Sequence, residues 1–444
     1  MASPLILVTG ATGYIASRLI PRLLDSGYRV RALAREPRRL AARSWSDQID
    51  LVQAEVRTPS TLAHALDGVD TAYYFIHNMS YGHGYATLEL DAARNFARAA
   101  EQAGVQHIIY LGGLADPEGH IAPHMRSRIE TGNVLREGKV PVTEFRAGVT
   151  AGSGSISFEM IRFMTELFPI VPGPLWLKNK SQPIAIQNII DYLIAALNNK
   201  TGQGQVFEIG GPDVMPYKDL MLRYARIRKL NRRMLLLPGI PVWFMAFGVD
   251  LMTPVPYPIA HALVDGLSAD SIVKHPAALQ VFPEVRLIDF DSATQAALEK
   301  THPSHIERMW VDGSTKTQFV KHEGCFILHT EIEINEEPEK IIRTIINLRN
   351  SSPLPTGEGS GVRERLHNAF GQQWIEWRLG RTGRERRPFG RQSPTGGSPT
   401  YLTQTLFFSP RGLPGFLYWF LSYPFQRFSF RGLIRKIAKR SQNS

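Results

Sequence analysis

Cysteine is almost absent: Cys325 is the only one in 444 residues. A single thiol excludes an intramolecular disulfide framework and the Cys-x-x-Cys pairs of a zinc cluster, so no metal site is expected. Long apolar runs are missing too. The nearest approach to the roughly 18 residues that a membrane span needs is 235–252, and Pro238, Pro241 and Asp250 interrupt it. Met1-Ala2-Ser3-Pro4 offers no basic stretch ahead of the apolar residues 5–8, so no secretory leader is expected and a cytoplasmic protein is the reading. Acid is scarce at one end only. Residues 351–444 hold 15 Lys+Arg against 4 Asp+Glu, and the rest of the chain is balanced, so the net charge of +11 belongs to the C-terminal fifth. No recognised nucleic-acid module accompanies those arginines, and no nucleic-acid partner is expected. With 43% hydrophobic and 20% charged residues the chain is ordinary for a globular protein, which excludes wholesale disorder. Its length suggests two or three domains at about 150 residues each.

What is present begins at once. Leu5-Ile6-Leu7-Val8-Thr9 is a continuous apolar run, as suits a strand buried on both faces. Gly10-Ala11-Thr12-Gly13-Tyr14-Ile15-Ala16 follows, then a helical pattern with Ile15, Leu19, Ile20, Leu23 and Leu24 on one face, ended by Asp25-Ser26-Gly27. Residues 28–34 read as a second strand. Glycines between strand and helix let the backbone turn tightly and approach a pyrophosphate at the helix N-terminus, so Gly10, Thr12, Gly13, Tyr14 and Ile15 are candidate cofactor contacts. An acidic residue after the second strand would suit the ribose of NAD, and an arginine suits the 2′-phosphate of NADP. Arg35 stands there, with Arg38 and Arg39 near it. NADP(H) is therefore the preferred cofactor, with NAD(H) left open. Strands at 49–56, 71–76, 107–111 and 142–146 alternate with helices at 85–103 and 123–136, which predicts an α/β, Rossmann-type doubly wound parallel sheet. Ligands on such a sheet lie at the carboxyl ends of the strands, which adds Glu55, Val56, His77 and Asn78 to the candidates.

These residues resemble the opening of atypical short-chain dehydrogenases of the NmrA-like and epimerase-like groups. Gly10 and Gly13 match the first two glycines of their Gly-x-x-Gly-x-x-Gly pattern, and Ala16 takes the third place. The segments 72–79, 124–128 and 153–160 sharpen the likeness to bacterial NAD(P)H-binding proteins that carry a second domain related to the START/polyketide-cyclase (SRPBCC) helix-grip fold. The resemblance covers about 4–348 and 400–438, and implies dinucleotide binding and an oxidoreductase reaction; the first reading is a reductase acting on a small apolar substrate beside His77, His124 and Arg128. One part of the family chemistry is missing. No Tyr-x-x-x-Lys pair occurs in the chain, and His124 and Arg128 stand at that spacing on the helix after the fifth strand, which ends in Gly112-Gly113 where serine is usual. Arg128 can hold a ribose hydroxyl but cannot accept a proton, so His124 is the candidate general acid. The missing pair keeps a second reading open, an NADP(H)-sensing regulator or scaffold without turnover. A lipid or isoprenoid carrier is the third.

The domain expectation is a Rossmann domain over 1–310 with its substrate lobe at 148–310, then a smaller α+β helix-grip-like domain from 311–349 and 400–444. Residues 235–267 are apolar and punctuated by prolines, and read as core and pocket wall; as a lid, Trp243, Phe244 and Phe247 would line the pocket. Residues 350–399 are rich in Gly, Pro, Ser and Arg, and read as a disordered insert foreign to the fold. The aromatic and basic stretch 414–438 reads as the long terminal helix that grips the small sheet, with a peripheral membrane contact as the alternative.

Overall fold

The computed structural model describes residues 3–443 except 38–39, 41–42, 44, 78–84, 116–120, 254, 256, 301–317, 323–324, 335, 350–351, 354–360, 367 and 382–399. The chain divides into two compact units, the first of residues 1–165 and 169–300, the second of residues 166–168 and 301–444.

In the first unit, β1 (Leu5–Val8), α1 (Tyr14–Asp25), β2 (Arg29–Ala34), β3 (Asp50–Gln53), α2 (Pro59–Leu66), β4 (Thr71–Tyr74), α3 (Tyr85–Gln102), β5 (His107–Gly113), α4 (Pro123–Arg136) and β6 (Val142–Ala147) alternate as the sequence predicts. A late strand, Val206–Ile209, pairs with β6. The seven strands lie in the order Val206–Ile209, β6, β5, β4, β1, β2, β3, all neighbours parallel. Successive residues of a strand face opposite ways, so a sheet covered on both sides needs an unbroken apolar run. Ile6 and Val8 join one core with Leu19, Ile20 and Leu23 of α1, while Leu5 and Leu7 join the other with Leu62 and Leu66 of α2 and Phe96 of α3. Tyr73 and Tyr74 divide in the same way, and the buried Tyr73 hydroxyl donates to the Leu193 carbonyl at 2.7 Å. Beyond the sheet, α5 (Ile156–Leu167), α6 (Ile186–Asn198), α7 (Tyr217–Ile227), α8 (Val242–Met252) and α9 (Tyr257–Gly266) build the rest of the unit. Met160, Met164, Met221, Val249 and Val264 pack together there.

The second unit is an antiparallel sheet in the order Gln318–His322, Cys325–Ile334, Thr400–Pro410, Gly371–Arg381, Gly361–Leu366, Ser352–Pro353, with helices Pro338–Arg349 and Gly412–Asn443. Trp419 of the terminal helix stacks on Phe326 and Phe408 of the sheet at 5.4 and 5.3 Å between ring centres. This corrects the reading of 350–399 as a foreign, disordered insert for its described residues, 352–353, 361–366 and 368–381. Residues 352–353, 361–366 and 371–381 are sheet strands, and Gly371–Arg381 pairs along its whole length with Thr400–Pro410. The composition misleads because its charges are paired across strands. The buried Glu376 carboxylate accepts from Arg363 of the next strand at 2.7 Å and from Arg378 beside it. Residues 382–399 lie outside the described residues.

Gln404 ties this sheet to the terminal helix, accepting from the Trp377 indole N–H and donating to the Phe430 carbonyl, each at 2.8 Å. All of these groups are buried, so Gln404→Ala strands the Trp377 N–H and opens a cavity. We expect it to destabilise the second unit by about 3 kcal/mol, read from urea unfolding of the full chain.

Candidate functional site

The turn after β1 is shaped by what glycine permits. Gly10 holds φ +61°, and a Cβ there would meet the Phe75 carbonyl oxygen at 2.7 Å. Gly13 donates to the Gly10 carbonyl at 2.8 Å and caps α1 without a side chain. The first turn of α1 carries no acid and receives no side-chain acceptor from its cap, which suits its N–H groups to an anion. Thr12 is exposed and Ile15 packs against the core. Tyr14 lies beneath the Arg18 guanidinium, 3.8 Å from its ring centre, and Arg18 donates to the Ser153 carbonyl at 2.9 Å. The loop after β6 is thereby tied to the glycine turn.

At the ends of β2 and β3, Arg35 and Glu55 come together at 3.8 Å, with Arg57 at 3.7 Å from the same carboxylate. Arg35 is half exposed. Val56 is buried in the core with Leu62, leaving its backbone for any ligand contact. Asn78, Arg38 and Arg39 lie outside the described residues.

The structure brings His77 and Arg128 together and adds two residues that sequence reasoning missed. Arg128 Nε donates to His77 Nε2 at 3.3 Å, while His77 Nδ1 meets Glu89 Oε1 at 2.8 Å and the Ser127 hydroxyl donates to Glu89 Oε2. This geometry fixes His77 as the neutral Nδ1–H tautomer, and burial and the Arg128 charge hold its pKa below the usual value against the pull of Glu89. Both missed residues left a signal. Glu89 shares its stripe of α3 with the buried Ala92, Ala93 and Phe96, and Ser127 falls between His124 and Thr131 on the buried face of α4. A polar group in a buried stripe needs a partner.

His124 is buried with neither ring nitrogen hydrogen-bonded, and burial, aided by the charges of Arg128 and His77, pushes its pKa down to about 3. It is therefore neutral near pH 7, which corrects the expectation of a general acid: the role open to it is that of a neutral hydrogen-bond partner. Gly112 and Gly113 leave room for neighbouring side chains, since a Cβ at 113 would press on the Met125 sulfur and one at 112 would meet the Glu144 carboxylate at 3.0 Å. A serine at either place would need the Met125 or Glu144 side chain to shift.

His124 faces a cavity lined by Met125, Met160, Met164, Met221, Met245 and Trp176. Leu114 and Ala115 after β5 and Gly148 and Val149 after β6 form its sheet-side wall. Its further polar lining includes Ser271 and Tyr217, whose phenol burial pushes up to about 12. The lid reading of α8 is corrected: Trp243, Phe244 and Phe247 are all more than half exposed, and Met245 and Val249 face the cavity from the other side of the helix.

The parallel order, the glycine turn and the ligand edge at the strand ends define a Rossmann-type domain. Comparisons with known proteins agree with it. Residues 2–203 match the NmrA-like family. The chain is 27% identical over 277 residues to a (4-alkanoyl-5-oxo-2,5-dihydrofuran-3-yl)methyl phosphate reductase of Streptomyces griseus, covering 59% of this chain and 85% of that protein. Among solved structures, the triphenylmethane reductase of Citrobacter complexed with NADP(H) superposes with a TM-score of 0.54 at 19% identity, over 66% of this chain and 99% of its own. A quinone oxidoreductase of Escherichia coli complexed with NADPH gives 0.54 at 18%, over 67% and 100%.

Proposed function

We propose that the first unit binds NADP(H) and acts as an atypical short-chain reductase on a small apolar acceptor held in the methionine-lined cavity. The observation that carries this is the position of the cavity against the ends of β5 and β6, on the sheet edge that also carries the glycine turn after β1. The reductases and NADP(H) complexes among the similar proteins support it. The turn at Gly10 and Gly13 would take the pyrophosphate, and Arg35 the 2′-phosphate. The cofactor supplies a hydride when bound. Arg128, bonded to His77, which Glu89 holds in turn, stands where the family places its lysine and would fix the nicotinamide ribose. Neutral His124 would donate to the acceptor oxygen as negative charge develops on it. The second unit we infer to be a helix-grip domain of the START/polyketide-cyclase kind, a reading supported by its antiparallel sheet and the terminal helix packed across it.

Fluorescence titration with NADPH and NADH tests the cofactor. Arg35→Ala should weaken NADPH about tenfold and leave NADH unchanged, as removal of one charge-assisted contact to a phosphate predicts. No binding of either nucleotide to the wild type would end the reading. The absence of a Tyr-x-x-x-Lys pair favours one alternative, an NADP(H)-responsive protein without turnover. A substrate screen separates the two. Under the reductase reading, His124→Ala lowers kcat about 100-fold with NADPH affinity retained; under the alternative, the wild type binds NADPH and turns over nothing.

A further inference from the structure

The terminal helix Gly412–Asn443 has two faces, and the sheet accounts for one of them. Trp419, Phe430, Ile434 and Ile437 are buried. On the opposite side Leu421, Phe425 and Phe428 are 75%, 78% and 84% exposed, with Leu417 half exposed beside them. At 3.6 residues per turn, Leu417, Leu421, Phe425 and Phe428 fall along one line, which the exposed Arg435 and Lys439 continue. Six Lys and Arg and no Asp or Glu lie within the helix. Among the described residues, no helix is long and apolar enough to cross a membrane.

We propose that this outer face docks on an anionic lipid bilayer, its aromatic half entering the headgroup region and its cationic half resting on the lipid charge. Charge complementarity decides the occupant. A second copy would bring Arg435 and Lys439 against the same cations of its own face, whereas anionic headgroups attract them while the acyl boundary takes the phenylalanines. The inference is independent of the reductase reading, because it needs neither cofactor nor turnover.

The test is flotation of the full chain with phosphatidylcholine vesicles prepared with and without phosphatidylglycerol. We expect binding to the anionic vesicles alone, reduced about tenfold or more both by Phe425→Ser with Phe428→Ser and by Arg435→Glu with Lys439→Glu. Absence of wild-type binding overturns the proposal, as does binding that survives both double substitutions. A wild-type dimer that the serine variant dissociates, without vesicle binding, would assign the face to a second copy instead. Phe425→Trp keeps the aromatic face and guards against misfolding of the serine variant. Its added emission should be quenched by brominated anionic lipid, and emission unchanged by that lipid would overturn the proposal equally.

Discussion

Acidification from about pH 7 to about pH 5 is expected to cost the first unit roughly 4 kcal/mol of stability. Two buried histidines carry this. Burial pushes His107 down to about 4 and His124 to about 3, from the usual 6.5. In the unfolded chain both take up a proton as the pH falls through about 6.5, whereas in the folded unit neither does until about 4 or below. The unfolded state binds more protons throughout that window, so stability falls with falling pH by about 1.4 kcal/mol per pH unit per histidine and levels off only below the folded values. His329, pushed to about 4 in the second unit, adds the same sign there. Urea midpoints across the range measure the slope. His124→Leu should remove its own share of the slope, giving a variant about 2 kcal/mol more stable than wild type at about pH 5 before any change in packing. His107 is the poorer target, because its Nε2 bonds the Thr143 hydroxyl at 2.8 Å and that buried hydrogen bond would be lost. An unchanged urea midpoint between the two pH values would mean that these rings are protonated in place and solvated.

The first unit was legible in the sequence because its signals are local. An unbroken run such as Leu5–Val8 admits few readings when a glycine turn and a helix follow in register, and the strand ends then locate the ligand edge. The His77–Glu89–Ser127 cluster was not legible as a unit, since its members come from three elements and meet only when α3 and α4 pack. The protonation state of His124 was not legible either, because burial and the Arg128 charge are properties of the packed site. In the second unit, composition hid the strands. Arg363, Glu376 and Arg378 look like solvated charge until the register sets Arg363 opposite Glu376. Periodicity fails there for a physical reason: residues 373–377 are all buried, so the strand does not alternate between core and solvent.

The largest effect on cofactor binding should come from a single methyl group at Gly10. Gly10→Ala is expected to weaken NADPH about 100-fold or more and to destabilise the first unit by roughly 2 to 4 kcal/mol. Two costs combine. An alanine at φ +61° pays about 1 to 2 kcal/mol for the left-handed conformation. The new Cβ also sits 2.7 Å from the Phe75 carbonyl oxygen, which is backbone and cannot rotate away. The backbone at Phe75 is anchored on the preceding peptide, whose Phe75 N–H donates to the Thr9 hydroxyl at 2.9 Å, while Thr9 N–H donates to the Tyr73 carbonyl at 3.0 Å. Relief must therefore come from the turn itself, which moves the N-terminus of α1 off the path of a pyrophosphate. Gly27→Ala separates the two costs. Its φ of +80° is equally unsuited to alanine, but its Cβ would meet nothing within 4 Å. That variant should lose only about 1 kcal/mol and bind NADPH as the wild type does. Equal behaviour of the two variants in urea unfolding and NADPH titration would show that conformational strain alone governs the turn and that the contact with Phe75 does not shape the cofactor site.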